Sequence, residues 1–257
     1  MPTFMPTPII PTDYPRIRRV GSFEELAATP FADGVNALCW SRMLAGDFGA
    51  VVAGLEAGDK GSAVVKPRAD RLGSEDSGII TLDESRLRGL TVSAAGKLAI
   101  EAMLADLRLL RELGRDPVLN CIHAYPRDES PGPVATDVFS FHADSAPVEA
   151  ETWLCTYHGA PSEGLRNEEA RRKVDGPAIR AELLKLYGGA DDKAFHAHLH
   201  EHCYDLHYAP LPGAQPYSFG VGHLWRIAVD WPGSKVPPCI HRAPATVAGE
   251  ARLLVIC

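Results

Sequence analysis

The texture of the chain changes at Gly114, and that change limits the folds open to it more than any other feature. Upstream, apolar residues recur at helical spacing. Within 35–55 the positions Leu38, Leu44, Phe48, Val51, Val52 and Leu55 fall mainly three or four residues apart, which predicts one helical face. Residues 91–113 repeat the pattern with Leu98, Met103, Leu107 and Leu110, and Gly114 is a natural stop. Downstream, 117–125, 136–144 and 151–157 are short aromatic or β-branched runs bounded by Pro and Gly, and read as strands. Helical character returns at 167–173, 178–187 and 191–208. Strands resume at 223–230, 239–241 and 251–257.

The expected class is therefore α+β, mainly β with a helical layer in front. Residues 1–20 carry five prolines and read as an extended arm. Residues 21–257 form one domain, mostly helical over 21–114 and β over 115–257, with a helical insertion at about 159–222 that would serve as a lid. Ser22 followed by Glu25 has the capping-box spacing, so a short helix starts there. A polar, Gly-rich connection covers 58–76, and no repeat of fixed period is present.

Composition excludes several partners. A net charge of -7 and a pI near 5.8 leave no broad basic surface for nucleic acid. No apolar run approaches the roughly 20 residues that cross a bilayer, and the first residues lack the basic start and apolar stretch of a signal peptide, so a cytoplasmic protein is expected. The six cysteines stand at wide spacings without C-x-x-C, which suits reduced thiols in a reducing compartment.

The residues that carry chemistry follow from strand parity. In Val138-Phe-Ser-Phe-His-Ala-Asp144 a period of two sends Ser140, His142 and Asp144 to one face and Phe139, Phe141 and Ala143 to the other. His241, after Pro237-Pro-Cys-Ile240, could supply a third ligand. Two histidines and a carboxylate make the facial triad that holds non-haem Fe(II) with open positions for ligands. Arg252, eleven residues past His241, could grip a carboxylate with its planar fork. Either half of the pattern arises easily by chance in a chain with ten histidines; the order and the long gap between halves carry the signal.

On His142, Asp144, His241 and Arg252 the chain resembles the Fe(II)- and 2-oxoglutarate-dependent oxygenases, whose pattern is H-x-D/E, a long gap, then H-x10-R on a double-stranded β-helix. It is also similar to a bacterial family related to that superfamily, through Gly34-Val-Asn-Ala-Leu-Cys-Trp-Ser-Arg42, His142-Ala-Asp-Ser-Ala-Pro147, Leu154-Cys-Thr-Tyr-His-Gly159 and Ile240-His-Arg-Ala-Pro244. The resemblance implies a jelly-roll, cupin-like barrel in which His142, Asp144 and His241 bind Fe(II) and Arg252 binds the distal carboxylate of 2-oxoglutarate. The implied reaction oxidises a small organic substrate with O2 while the keto acid becomes succinate. One departure concerns the Ser that often follows the arginine by two residues: here it is Leu254. That hydroxyl contact is either missing or comes from elsewhere, with Tyr157 as the candidate.

Two other enzymatic or binding readings remain open on the sequence. A cupin-like metalloenzyme would use the same ligands without 2-oxoglutarate, and a sensing module would keep the barrel without turnover. A second cluster, Phe195-His-Ala-His-Leu-His-Glu-His-Cys-Tyr-Asp-Leu-His207, pairs His196 with His200 and His198 with His202 at i, i+4. The pairs lie on different sides of a helix and no H-E-x-x-H is completed, so a solvated or lid-forming face is expected over a metal site.

Overall fold

The computed structural model describes residues 10–59, 78–127, 132–245, 247 and 249–257. In chain order they form β1 (Ile17–Val20), α1 (Phe23–Ala28), β2 (Ala37–Trp40), α2 (Phe48–Asp59), β3 (Ile79–Leu82), α3 (Glu84–Arg88), α4 (Ala94–Glu112) and β4 (Val118–Ile122). There follow β5 (Phe141–His142), β6 (Glu151–His158), β7 (Glu163–Leu165), β8 (Ala170–Arg172), α5 (Pro177–Tyr187), α6 (Lys193–Glu201), β9 (His207–Pro210), β10 (Tyr217–Ser218), β11 (Leu224–Ala228), β12 (Ile240–Arg242) and β13 (Arg252–Ile256).

The strands make a mixed α+β protein with two large sheets. The seven-stranded one runs β1-β2-β11-β6-β13-β4-β3, antiparallel except for the β1–β2 pair. The six-stranded one runs β10-β7-β12-β5-β9-β8 and is antiparallel throughout.

Strand parity builds two cores on the large sheet. Leu253, Val255, Trp153, Cys155 and Tyr157 face one side, where α4 covers them with Ile100, Met103, Leu104, Leu107 and Leu110. Their neighbours Leu254, Leu154, Trp225 and Ile227 face the other side and pack with Tyr217, Phe219 and Cys239 of the smaller sheet's segment. Burying apolar area on both faces is the main stabilising term, at about 25 cal/mol per Å2. The space between the sheets is where the polar site lies. Two helices, α5 and α6, carry their own small core of Leu183, Phe195 and Leu199 with Val134 and Val174.

Several expectations hold locally. Ser22 caps α1 by accepting from the Glu25 amide, and the Glu25 carboxylate reaches back to the Gly21 amide at 2.7 Å. The 91–113 helix is α4, capped by Ser93, although Leu98 points to solvent and leaves the inner face to Ala99 and Ile100.

Others are corrected. Residues 37–40 are a strand and not part of a helix, because Leu38 faces one core while Ala37 and Cys39 face the other, and a strand apolar on both sides shows no alternation. The helix expected over 167–173 is a 3-10 turn followed by β8. That expected over 191–208 stops at Glu201, since Cys203 takes a left-handed φ of 57° and turns the chain into β9. The 159–222 segment is more than a helical insertion: it supplies β7, β8, β9 and β10 to the smaller sheet. Within the arm, Ile17–Val20 pairs with β2, and β2 and β3 carry the helical half into the large sheet. Most of the 58–76 connection lies outside the described residues.

Candidate metal centre

The short strand β5 holds His142 between two other histidines. His241 of β12 is its partner on one side, and His207 of β9 is its partner on the other. The row continues through Gly164 of β7, opposite His241, to Tyr217 of β10. Gly164 is required here by close approach: a Cβ would stand 2.2 Å from the Tyr217 ring. On the opposite face Phe141, Leu165 and Ile240 form a separate apolar cluster that pins these short strands together.

His142, Asp144 and His241 come together, with one ligand atom from each lying within 4.8 Å of the others, although the strand expected over 136–144 is only Phe141–His142 and Asp144 lies past its end. His142 Nε2 stands 3.8 Å from Asp144 Oδ1, and His241 Nε2 stands 3.8 Å from Asp144 Oδ2. The other ring nitrogen of each histidine faces a main-chain carbonyl: Nδ1 of His142 meets Ser140 O at 2.8 Å, and Nδ1 of His241 meets Cys239 O at 3.4 Å. A carbonyl only accepts, so each Nδ1 carries a proton and each Nε2 is the nitrogen turned toward the carboxylate.

His142 adds no positive charge to this arrangement near pH 7. Burial pushes the His142 pKa down to about 4, helped by His241 and opposed by the Ser140 carbonyl, so the ring is neutral near pH 7. Burial also pulls on Asp144 in the raising direction, but His241, the Thr152 hydrogen bond and His142 outweigh it and hold the carboxyl below its ordinary value. Asp144 is fixed twice more. Its Oδ2 accepts from Thr152 Oγ1 at 2.6 Å and its main-chain carbonyl from the Asp230 amide at 2.7 Å. A carboxylate and two imidazoles with their Nε2 atoms turned to one point are the donor set of a metal ion, well suited to divalent iron, zinc or manganese. Among the described residues it is the only such group of three. Its side chains are 8% exposed at His241, 16% at His142 and 32% at Asp144, so the site opens past the carboxylate.

Arg252 reaches the same inter-sheet space from β13. It is 6% exposed, and its Nη1 donates to Tyr125 Oη at 2.7 Å while Nη2 donates to Thr156 Oγ1 at 2.9 Å and Ser162 Oγ at 2.8 Å. Nε is buried without a partner, and among the described residues the guanidinium forms no ion pair. Burial lowers its pKa and Tyr125 restores part of the loss; the group stays charged. A small cavity of about 20 Å3, partly open to solvent, lies beside it and is lined by Tyr125, Pro244, Val247 and Glu250. Gly159, at φ +78°, allows the approach, since a Cβ there would stand 2.6 Å from the Ala251 carbonyl.

Tyr157 is the residue that the structure separates from the others. Its parity is opposite to that of Thr156, so it faces α4, where its hydroxyl donates to Asp106 Oδ2 at 2.7 Å and its ring stacks on Phe48. Asp106 in turn receives both Nη atoms of Arg42. The hydroxyls beside Arg252 belong instead to Thr156, Ser162 and Tyr125. Strand parity alone would have favoured Thr156, because Leu154 on the same face is apolar and inward; nothing in the sequence marks Ser162.

The histidine-rich segment splits. His196 lies 3.3 Å from Asp191 and His200 3.3 Å from Asp205, with both rings exposed, and His198 and His202 lie with ring centroids 4.2 Å apart at the surface. Only His207 enters the interior, where its ring lies 5.7 Å from that of His142. Burial, with His142 and Lys173, lowers its pKa to about 4. None of the described helices is long and apolar enough to cross a membrane. No family model, curated protein or solved structure matches the chain.

Proposed function

We propose that this chain is a mononuclear non-haem Fe(II) oxygenase that uses 2-oxoglutarate and O2 to oxidise a small organic substrate, on a double-stranded β-helix. The observation that carries the reading is the pair of buried, mutually complementary charge defects between the two sheets. On one side two imidazole nitrogens and a carboxylate converge within 4.8 Å of one another. On the other a buried guanidinium has hydroxyl partners and, among the described residues, no ion pair. A metal ion answers the first and a ligand carboxylate the second, since leaving a charge buried and unpaired costs several kcal/mol, on the order of 3 to 5. A keto acid with a distal carboxylate joins the two.

His142, Asp144 and His241 would hold the iron, whose chemistry when bound is the activation of O2 for attack on a substrate C–H bond, coupled to conversion of 2-oxoglutarate to succinate and CO2. The protein's own contribution is position. Thr152 fixes the Asp144 carboxylate, and the Ser140 and Cys239 carbonyls set the tautomers of the two rings. Arg252, steadied by Thr156, Ser162 and Tyr125, would bind the distal carboxylate through a charge-assisted pair. Phe219, stacked on Trp225 and 6.3 Å from the His241 ring, walls the site against water.

An anaerobic titration of the full chain with Fe(II) and then 2-oxoglutarate tests this. The expected result is one iron per chain, a visible metal-to-keto-acid absorption band, and succinate release once O2 is admitted. One tightly bound metal without any response to 2-oxoglutarate would favour a cupin-like enzyme. No stoichiometric iron, manganese or zinc would favour a sensing module.

A further inference from the structure

A second cation lies beside the metal centre, on the side away from His241. Lys173, in the 3-10 turn that follows β8, is half-buried and donates from Nζ to Ser140 Oγ at 2.5 Å. Among the described residues it forms no ion pair. Ser140 is the residue whose main-chain carbonyl holds His142 Nδ1, so the ammonium and the metal-facing ring are linked through one residue. Across from His142 in the β5–β9 pair stands His207, 4% exposed, with a buried Nδ1 that has no partner.

Asp137 is the acid whose charge acts on both Lys173 and His207. Its Oδ1 accepts from the amides of Phe139 and Ser140, which holds the carboxylate on the turn entering β5 and not on the ammonium. The Ser140 hydroxyl, having accepted from Lys173, still has its own hydrogen to donate. Lys173 keeps further N–H groups, and His207 as a neutral ring has one. Lys173, Ser140 and His207 thus offer three donors, one of them charged, beside the metal centre. A second metal ion is excluded there because the ammonium repels it and offers no lone pair.

We propose that Lys173, Ser140 and His207 bind a carboxylate of the substrate, so that the protein acts on a small organic acid. The inference rests on the reading of His142, Asp144 and His241 as the metal centre. His207 is one strand spacing, about 4.8 Å, from His142. A carboxylate held there presents a carbon only a few bonds away to the metal, which selects short acids oxidised near the carboxyl end. Lys173 and His207 would be specificity-determining residues, not ligands of the metal.

Propionate is a suitable probe, titrated by NMR into the Mn(II)- or Zn(II)-loaded full chain with 2-oxoglutarate at saturation, so that Arg252 is already occupied. Propionate should bind, and propionamide should not. Lys173→Gln should weaken propionate at least tenfold and Lys173→Arg by no more than about threefold, each with one metal per chain and an unchanged affinity for 2-oxoglutarate. His207→Asn should weaken propionate while retaining metal. The proposal is overturned if propionate binds equally to the parent and Lys173→Gln, if it fails to bind the parent, if inorganic phosphate alone binds in a Lys173-dependent way, or if His207→Asn releases the metal. Failure of the parent to bind 2-oxoglutarate would instead remove the oxygenase reading, while the dependence of propionate on Lys173 still decides this one.

Discussion

Thr152 and Thr156 stand four residues apart on the same face of β6, and each steadies one charged group: Thr152 donates to Asp144, and Thr156 accepts from Arg252. At about 3.3 Å per residue the two are roughly 13 Å apart. One strand of the large sheet thereby sets the separation between the metal-binding carboxylate and the anion-binding guanidinium, with Leu154 lying between them on the same face.

Thr152→Val keeps the β-branched shape and removes only the hydroxyl. Asp144 then loses a 2.6 Å hydrogen bond that fixes its rotamer. Metal affinity should fall about 10- to 100-fold with the fold intact. A competition titration against a chelator measures it, and an unchanged affinity would mean that the carboxylate needs no help from β6.

Arg252→Lys and Arg252→Ala separate the two charged groups. Neither removes a ligand, so metal content should stay at one per chain. In the alanine variant the distal carboxylate of 2-oxoglutarate loses a charge-assisted partner in a buried setting, a loss of about 2 to 5 kcal/mol, or roughly 30- to several-thousand-fold in affinity. Lysine should recover only part, since a point charge cannot reproduce the planar fork that also meets Tyr125, Thr156 and Ser162. Isothermal titration of the Mn(II)-loaded variants reads both effects.

Local signals in the sequence were reliable where one interaction decides the outcome. The Ser22–Glu25 cap and the period-two placement of His142 and Asp144 depend on neighbours in the chain, and both appear in the structure. Residues 37–40 were misread because a strand buried on both faces has no period to detect. His207 was hidden for a different reason. It ends a histidine-rich helical stretch, and only the left-handed Cys203 breaks that helix and sends His207 onto β9 beside His142. The partners of Arg252 come from three separate segments at 125, 156 and 162, a convergence that spacing cannot report.

Acid should destabilise the metal-free protein through its buried histidines. Burial is the first cause that holds both His142 and His207 at about 4 in the folded chain. Unfolded histidine titrates near 6.5. Between these values the unfolded chain binds protons that the folded chain refuses, so stability is full above about pH 6.5 and is lost as pH falls toward 4. The loss is on the order of 3 kcal/mol for one ring, and less than twice that for both, because His142 contributes to the shift of His207. Urea unfolding of chelator-treated protein between pH 7.5 and 5 should show the decline, and His207→Gln should flatten it. An equal slope in that variant would place the acid sensitivity elsewhere.

Tyr157→Phe and Thr156→Val differ by one residue in position and should differ in kind. The Tyr157 hydroxyl serves Asp106, a carboxylate that is 2% exposed and also binds Arg42, within the core beneath α4. Removing it takes a hydrogen bond from a charged group and should lower stability by about 2 kcal/mol, with metal and 2-oxoglutarate binding as in the parent. Thr156→Val removes an acceptor from Arg252 Nη2 on the opposite face. It should leave the core packing nearly unchanged and weaken 2-oxoglutarate, because the guanidinium is then less firmly oriented toward its ligand. Thermal melts and keto-acid titrations on the two variants give four numbers. If Tyr157→Phe loses the keto acid and Thr156→Val does not, the hydroxyl that serves the cosubstrate lies on the helix side of β6, and the assignment of Arg252 to the space between the sheets fails with it.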